Sequence, residues 1–343
     1  LQLQTARWSE EEITIENQCT VDMGRCAAVS RSLQENMGGT ASVHERYVWV
    51  EVPLPWEYDV KQSRHFPAGL MELHREMGEN GIRFNLLACA SEQPSTPPGH
   101  RRVLFFLRPA GPFAAFERQE YVVPEEMIGT LIQAVCAEKG AAEPFESYKL
   151  ADSGTLDLFV CTHGSHDVCC GKDGYPFYAE LKDRYSGRER AVRVWRASHF
   201  GGHRLAPTMI EFPRGRYWGH MTVQAADVLL SATGEVQQLY SHYRGWAGLM
   251  AYEQRVEREI WLHEGWPWQE YLKTGYTAEP QEDGGVQVRI DYQSVNGAVT
   301  GSYEAVVRET GHVDIIGCDF NAPRAYKQFA VENLKKLQPQ QDT

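Results

Sequence analysis

The chain has 343 residues, 42% of them hydrophobic and 23% charged, with a formal net charge of -12 and a pI near 5.5. That length predicts two or three domains with real cores, and the composition excludes disordered, collagen-like and fibrous classes. An acidic surface repels phosphate backbones and anionic lipid, so neither nucleic acid nor a membrane is an expected partner.

No apolar run approaches the roughly 20 residues that span a bilayer. The stretch from Leu1 to Glu12 lacks a basic-then-apolar signal pattern, which makes a cytoplasmic protein the expectation. The eight cysteines, Cys19, Cys26, Cys89, Cys136, Cys161, Cys169, Cys170 and Cys318, are too sparse for a secreted disulfide scaffold. Three of them fall within ten residues, with histidines close by. In a reducing compartment such a cluster points to metal or redox chemistry.

In chain order, residues 46–53 (RYVWVEVP) predict a buried strand and 66–79 a helix, since apolar residues in the latter recur at helical spacing. Apolar runs at 83–90 and 102–108 and a segment at 117–123 predict three more strands. Pro124, followed by Glu125 and Glu126, opens a helix reaching Lys139, because proline fits a first turn and acids suit its dipole. After a polar break at 141–146 the order returns. A short strand at 156–160 runs into Cys161, a helix occupies 174–185, and 191–197 alternates. Strands at 208–212 and 216–218 flank a turn at 213–215, and a helix at 225–232 follows.

Each half therefore reads strand, helix, two or three strands, helix, the element order of a thioredoxin-like fold. The expected fold class is α/β (α+β), with tandem thioredoxin-like domains at 1–145 and 150–240. Residues 241–343 read as a helix at 252–264, ending at Gly265, and a small antiparallel sheet with strands at 286–292, 301–308 and 312–316. Asn296-Gly297 marks the turn between the first two of these strands.

The stretch from Cys161 to Gly171 (CTHGSHDVCCG) leaves a strand directly, and so does Ser198-His199-Phe200-Gly201-Gly202-His203-Arg204 about thirty residues later. Two pairs of soft-to-borderline ligands thus emerge from strand ends of one small domain, and thiolate with imidazole suits iron or zinc. Singly, each of these residues is better read as a loop histidine or a small buried thiol; the combination is what points to a metal. Gly201-Gly202 breaks any helix and no Glu intervenes, which excludes a helical zinc-protease pair.

The runs CTHGSHDVCCGKDGYP, WRASHFGGHRLAP and FPRGRYWG resemble the sucrase/ferredoxin-like family, over roughly residues 25 to 260. Gly39-Thr40-Ala41, the segment Trp49 to Trp56, and Tyr243-Arg244-Gly245 with Gly248 resemble its flanking parts. The resemblance implies a thioredoxin-like ferredoxin domain whose 2Fe-2S cluster is held by Cys161, Cys170, His199 and His203, a Rieske-like ligand set. Cys169 stands open as an alternative to Cys170 or as a neighbouring free thiol. Imidazole in place of thiolate removes negative charge and raises the potential, and its second nitrogen predicts a pH-dependent one. His163 and His166 read as solvated loop residues in preference to a relay, Arg204 as offsetting cluster charge or facing water, and Trp195 and Trp218 as core.

The expected function is electron transfer, by a carrier or redox component serving unidentified donor and acceptor proteins. Two other classes compete: a structural Cys2His2 zinc site on the same four residues, and a thiol-disulfide oxidoreductase using Cys169 and Cys170. No Cys-x-x-Cys precedes a helix, which weighs against the latter. A glycosidase would need two facing carboxylates, and no motif singles out such a pair. Cys19, Cys26, Cys89 and Cys136 lack a companion histidine motif, so the first half is expected to flank the ferredoxin domain or dock a partner.

Overall fold

The computed structural model describes residues 24–91, 96–137, 142–152, 154–185, 192–318 and 322–337. Cys19 and the Leu1 to Glu12 start lie outside these. A short helix, α1 (Cys26–Ser32), opens the described chain. Then follow β1 (Arg46–Glu51), α2 (Leu70–Glu79), β2 (Asn85–Ala90), β3 (His100–Leu107), β4 (Glu117–Pro124) and α3 (Ile128–Ala137). The series repeats as β5 (Leu156–Cys161), α4 (Tyr175–Tyr185), β6 (Val192–Ala197), β7 (Met209–Phe212), β8 (Arg216–Trp218) and α5 (Val223–Ser231). After β9 (Tyr243–Trp246) and α6 (Ala251–Glu264) come β10 (Leu272–Thr277), β11 (Val286–Gln293), β12 (Thr300–Ile315) and β13 (Arg324–Leu337).

The result is a mixed α/β architecture with one nine-stranded mixed sheet, in the order β4-β3-β1-β2-β6-β5-β7-β8-β9, and one four-stranded antiparallel sheet, β10 to β13 in sequence. Within the large sheet β1 and β2 are parallel, β3 runs against β1, and β4 against β3. β5 and β6 are likewise parallel, with β7 against β5 and β8 against β7. The two halves thus carry the same strand order. They meet at β2 and β6 through two residue pairs, Cys89↔Ala197 and Ala90↔Arg196.

The period-two alternation of β1 explains how both faces of the first half are covered. Val48 and Val50 face the helices α2 and α3, in a cluster with Leu70, Met77, Leu131 and Ile132. Tyr47 and Trp49 point the other way, into a core shared with the second half. There Trp49 stacks on Phe159 at 3.9 Å between ring centroids and Phe106 on Phe212 at 4.2 Å, pairs worth about 1 kcal/mol each beyond their buried area. The sheet is therefore folded back on itself about the short β2–β6 junction. A buried charge network ties the same two halves: Glu120 of β4 accepts from Arg193 of β6 at 2.8 and 3.0 Å and from Arg102 and Arg118. Asp157 of β5 accepts from Arg118 at 2.9 Å and from Arg193 at 2.8 Å.

Residues 301–308 and 312–316, expected as two strands, belong to one, β12, and β9, β10, β13 and α1 were not anticipated. Gly311 reads locally as a break, but at φ +134° it sits in a register shift that lets the strand continue. β13 interleaves charges with Phe329, Val331 and Leu334, which pack one half-covered face on the core. β11 pairs with β12 only from Thr300 to Val307. Beyond that the β12–β13 hairpin reaches across to the segment after α1, where the Asn36 backbone N–H donates to Gln328 Oε1 at 2.7 Å and its Nδ2 to the Phe329 carbonyl at 3.1 Å.

Candidate metal centre

Parallel pairing of β5 with β6 sets Cys161 beside Ala197, so the loops after these two strands leave the same sheet end together. The first loop turns at His163, whose carbonyl accepts from Asp167 N at 3.1 Å, and enters a one-turn π-helix at Cys170–Gly174 that leads into α4. Glycine is required here by contact: a Cβ on Gly174 would lie 2.0 Å from the Cys161 carbonyl oxygen, and one on Gly171 2.8 Å from the Gly164 Cα. The strand end and the helical turn can approach only because these side chains are absent.

The ligand atoms of Cys161, Cys170 and His199 all lie within 4.8 Å of one another. His199 Nδ1 is 3.6 Å from the Cys170 sulfur and 3.9 Å from that of Cys161. Both thiols are buried, while His199 is half-buried. Burial opposes ionisation of Cys161, but hydrogen bonding with Cys170 and His199 holds it well below the usual thiol range. Bonding to Cys161, together with burial, pushes Cys170 well above. Cys169 turns elsewhere. Successive residues on helical backbone point about 100° apart, and the Cys169 sulfur lies 3.6 Å from Cys26 and 3.4 Å from Cys318.

His203 follows a left-handed Gly202 at φ +82°, with its ring 5.9 Å from that of His199 between centroids. Its Nδ1 meets Asp167 Oδ2 at 2.8 Å and the Cys26 sulfur at 3.2 Å. Burial works against the Asp167 carboxylate, but the His203 bond and the Cys169 N–H hold it below the ordinary carboxylate range.

A family model described as Sucrase/ferredoxin-like matches residues 37–245, more than half of the chain. The chain belongs to the sucrase/ferredoxin-like family. It is also similar to "Altered inheritance of mitochondria protein 32" of Debaryomyces hansenii, 29% identical over 146 residues, which are 41% of this chain and 52% of that protein. The chain thus spans about half the length of this curated relative. No solved structure matches. Among the described residues, no helix is long and apolar enough to cross a membrane.

In this sucrase/ferredoxin-like chain the first half has a definite part at the centre. Three successive carbonyls of its 56–58 loop hold the cysteine loop: Ser165 Oγ donates to Trp56 O at 2.7 Å, His163 Nε2 to Glu57 O at 2.8 Å, and His166 Nδ1 to Tyr58 O at 3.1 Å. His163, expected in solvent, is 2% exposed. Its Nδ1 accepts the His199 backbone N–H at 3.2 Å, which fixes the neutral Nε2–H tautomer, and burial lowers its pKa in the same sense. His166 stacks on His199 at 4.2 Å. Arg204, expected at the cluster or in water, donates to Glu35 Oε1 at 2.7 Å and covers the Tyr326 ring. Trp195 and Trp218 are fully buried.

Sequence reasoning missed Cys26, Asp167 and Cys318. Cys26 and Cys318 lie outside the matched 37–245, carry no local motif, and are brought to Cys169 only by α1 and the end of the β12–β13 hairpin. Cys89 and Cys136 are buried in the first half.

Proposed function

We propose that Cys161, Cys170, His199 and His203 hold a 2Fe-2S cluster, and that the protein is an electron carrier or the redox component of a larger system. The observation that carries this reading is the convergence of two buried thiols and a half-buried imidazole from neighbouring strand ends. Cys161, Cys170 and His199 fit such a group in chemistry and grouping, and the loop backbone is closed up by glycines against Cys161. His203 lies outside that grouping, with its Nδ1 on Asp167, so its place in the ligand set rests on the family resemblance. The strand order shared by the two halves supports the tandem thioredoxin-like reading.

When bound, the cluster would take up and return one electron. The chain's own residues set how readily. Two thiolates and two neutral imidazoles leave less negative charge than four thiolates would, which favours the reduced state. His163 fixes the His199 backbone, and Asp167 accepts from His203 Nδ1, a carboxylate–histidine pair of the kind that orients a metal-binding ring and raises its basicity. Both histidines are half-buried, so protons and an electron partner would meet the centre from their side. The cytoplasmic placement read from the sequence is a proposal that stands beside the mitochondrial association in the relative's name.

The test is visible absorption, electron paramagnetic resonance and iron analysis of protein purified without air. A red-brown protein with two irons per chain and a Rieske-like average g value is expected. His199→Cys with His203→Cys should shift that signal toward all-cysteine ferredoxins. Cys170→Ser should bleach the protein and Cys169→Ser should not. The potential should fall as pH rises through the imidazole range. A colourless protein with zinc on these four residues, or a potential flat from about pH 6 to 10, overturns the proposal.

A further inference from the structure

A second group of sulfurs lies behind the first. Cys26 opens α1, Cys169 precedes the π-helix, and Cys318 follows β12. Their sulfurs are 3.1 Å apart for Cys26 and Cys318, 3.4 Å for Cys169 and Cys318, and 3.6 Å for Cys26 and Cys169. All three separations are far longer than a disulfide's roughly 2 Å. They lie near the roughly 3.8 Å edge of a tetrahedron with metal–sulfur bonds of about 2.3 Å. Three thiolates on one tetrahedral ion are all separated from one another by such an edge, so three short separations together suit a single ion.

The surroundings are those of a ligand set. Asp167 Oδ1 lies 3.8 Å from the Cys318 sulfur, and the four ligand atoms of Cys26, Asp167, Cys169 and Cys318 are within 4.8 Å of one another. Cys26 and Cys169 are buried and Cys318 is half-buried, so the three sulfurs are largely withdrawn from water. Ala27, Val29, Ala206 and Ile315 close the apolar side. Cys318 holds a left-handed backbone, φ +55°, and a Cβ on the preceding Gly317 would lie 2.6 Å from Cys26 N. The chain adopts a strained conformation here to bring the third sulfur in, and such strain clusters at ligand sites.

We propose that Cys26, Cys169 and Cys318, with Asp167 as the fourth ligand, form a second metal site, for one tetrahedral zinc ion. The set joins segments 143 and 149 residues apart in the chain, and 292 between Cys26 and Cys318. It clips α1 and the β12–β13 hairpin onto the loop that carries Cys170. Asp167 spans the two centres, with one oxygen toward zinc and the other on His203.

The test is zinc and iron counted together in the full chain, expressed with both metals and purified without chelator. One zinc per chain is expected in addition to any iron. Cys26→Ser and Cys318→Ser should each lower zinc at least tenfold and leave iron and the visible spectrum in place. Cys161→Ser should do the reverse, so this site and the proposed cluster fail separately. Should a variant not fold, X-ray absorption at the zinc edge of the unmutated chain decides: three sulfurs at about 2.3 Å and one oxygen at about 2.0 Å are expected. Two sulfurs with two nitrogens, which would put zinc on Cys161, Cys170, His199 and His203, overturns the proposal. So does an unmutated chain without zinc, or a disulfide joining two of the three cysteines in its native peptide map.

Discussion

Gly174→Ala isolates the contact that closes the first centre. On a helical backbone alanine is ordinarily favoured over glycine by about 1 kcal/mol, so propensity alone predicts a more stable protein. The structure reverses that sign. The new Cβ would stand 2.0 Å from the Cys161 carbonyl oxygen, and no rotamer relieves a clash between two backbones. Restoring contact needs about 1 Å of separation between the end of β5 and the π-helix in a close-packed interior, an overpacking cost of about 3 kcal/mol. Binding constellations tolerate about 0.5 Å, so the larger effect is expected on loading of the proposed cluster. Gly78→Ala, with nothing within 4 Å of its Cβ, is the control and should be neutral or slightly stabilising. Denaturant unfolding and iron per chain are the assays. A Gly174→Ala protein with unchanged iron and unfolding midpoint would refute the idea that this approach builds the site.

Glu120→Gln should cost about 3–5 kcal/mol at neutral pH by urea unfolding, because it removes the carboxylate shared by Arg193, Arg102 and Arg118 in a buried network. Burial opposes the charge, yet those three guanidiniums hold Glu120 at about 2, below its ordinary 4.5. The folded pKa is the lower one, so its contribution of about 3 kcal/mol is complete above the unfolded value and is lost as pH falls toward 2. The variant's stability should therefore vary less between about pH 5 and 2 than the parent's, and equal pH profiles would count against the network. His163→Ala should leave the His199 N–H and the Glu57 carbonyl without their partner, at about 1–3 kcal/mol. It should also broaden the paramagnetic signal as the His199 loop loosens; an unaltered spectrum would remove His163 from any positioning role.

Much of the centre was legible because its parts are local. A strand ending at Cys161, a helix start near Gly174, and glycines between His199 and His203 are visible in short windows, where side-chain period and backbone freedom leave a direct mark on residue choice. Which thiol of the adjacent pair faces which group was not legible, since neighbouring residues on a helical turn diverge and only their surroundings tell them apart. The buried state of His163 depends on the 56–58 carbonyls, more than a hundred residues upstream, and the joining of 301–308 to 312–316 depends on β13 as a partner. The sequence alone determined the repeated strand and helix order and the first set of candidate ligands. Only tertiary structure decided that the sheet folds back through Trp49, Phe159, Phe106 and Phe212, and that Cys26, Cys169 and Cys318 meet. Contacts across such separations are selected by the closure of the whole core, which leaves no periodic trace around any one of the residues that make them.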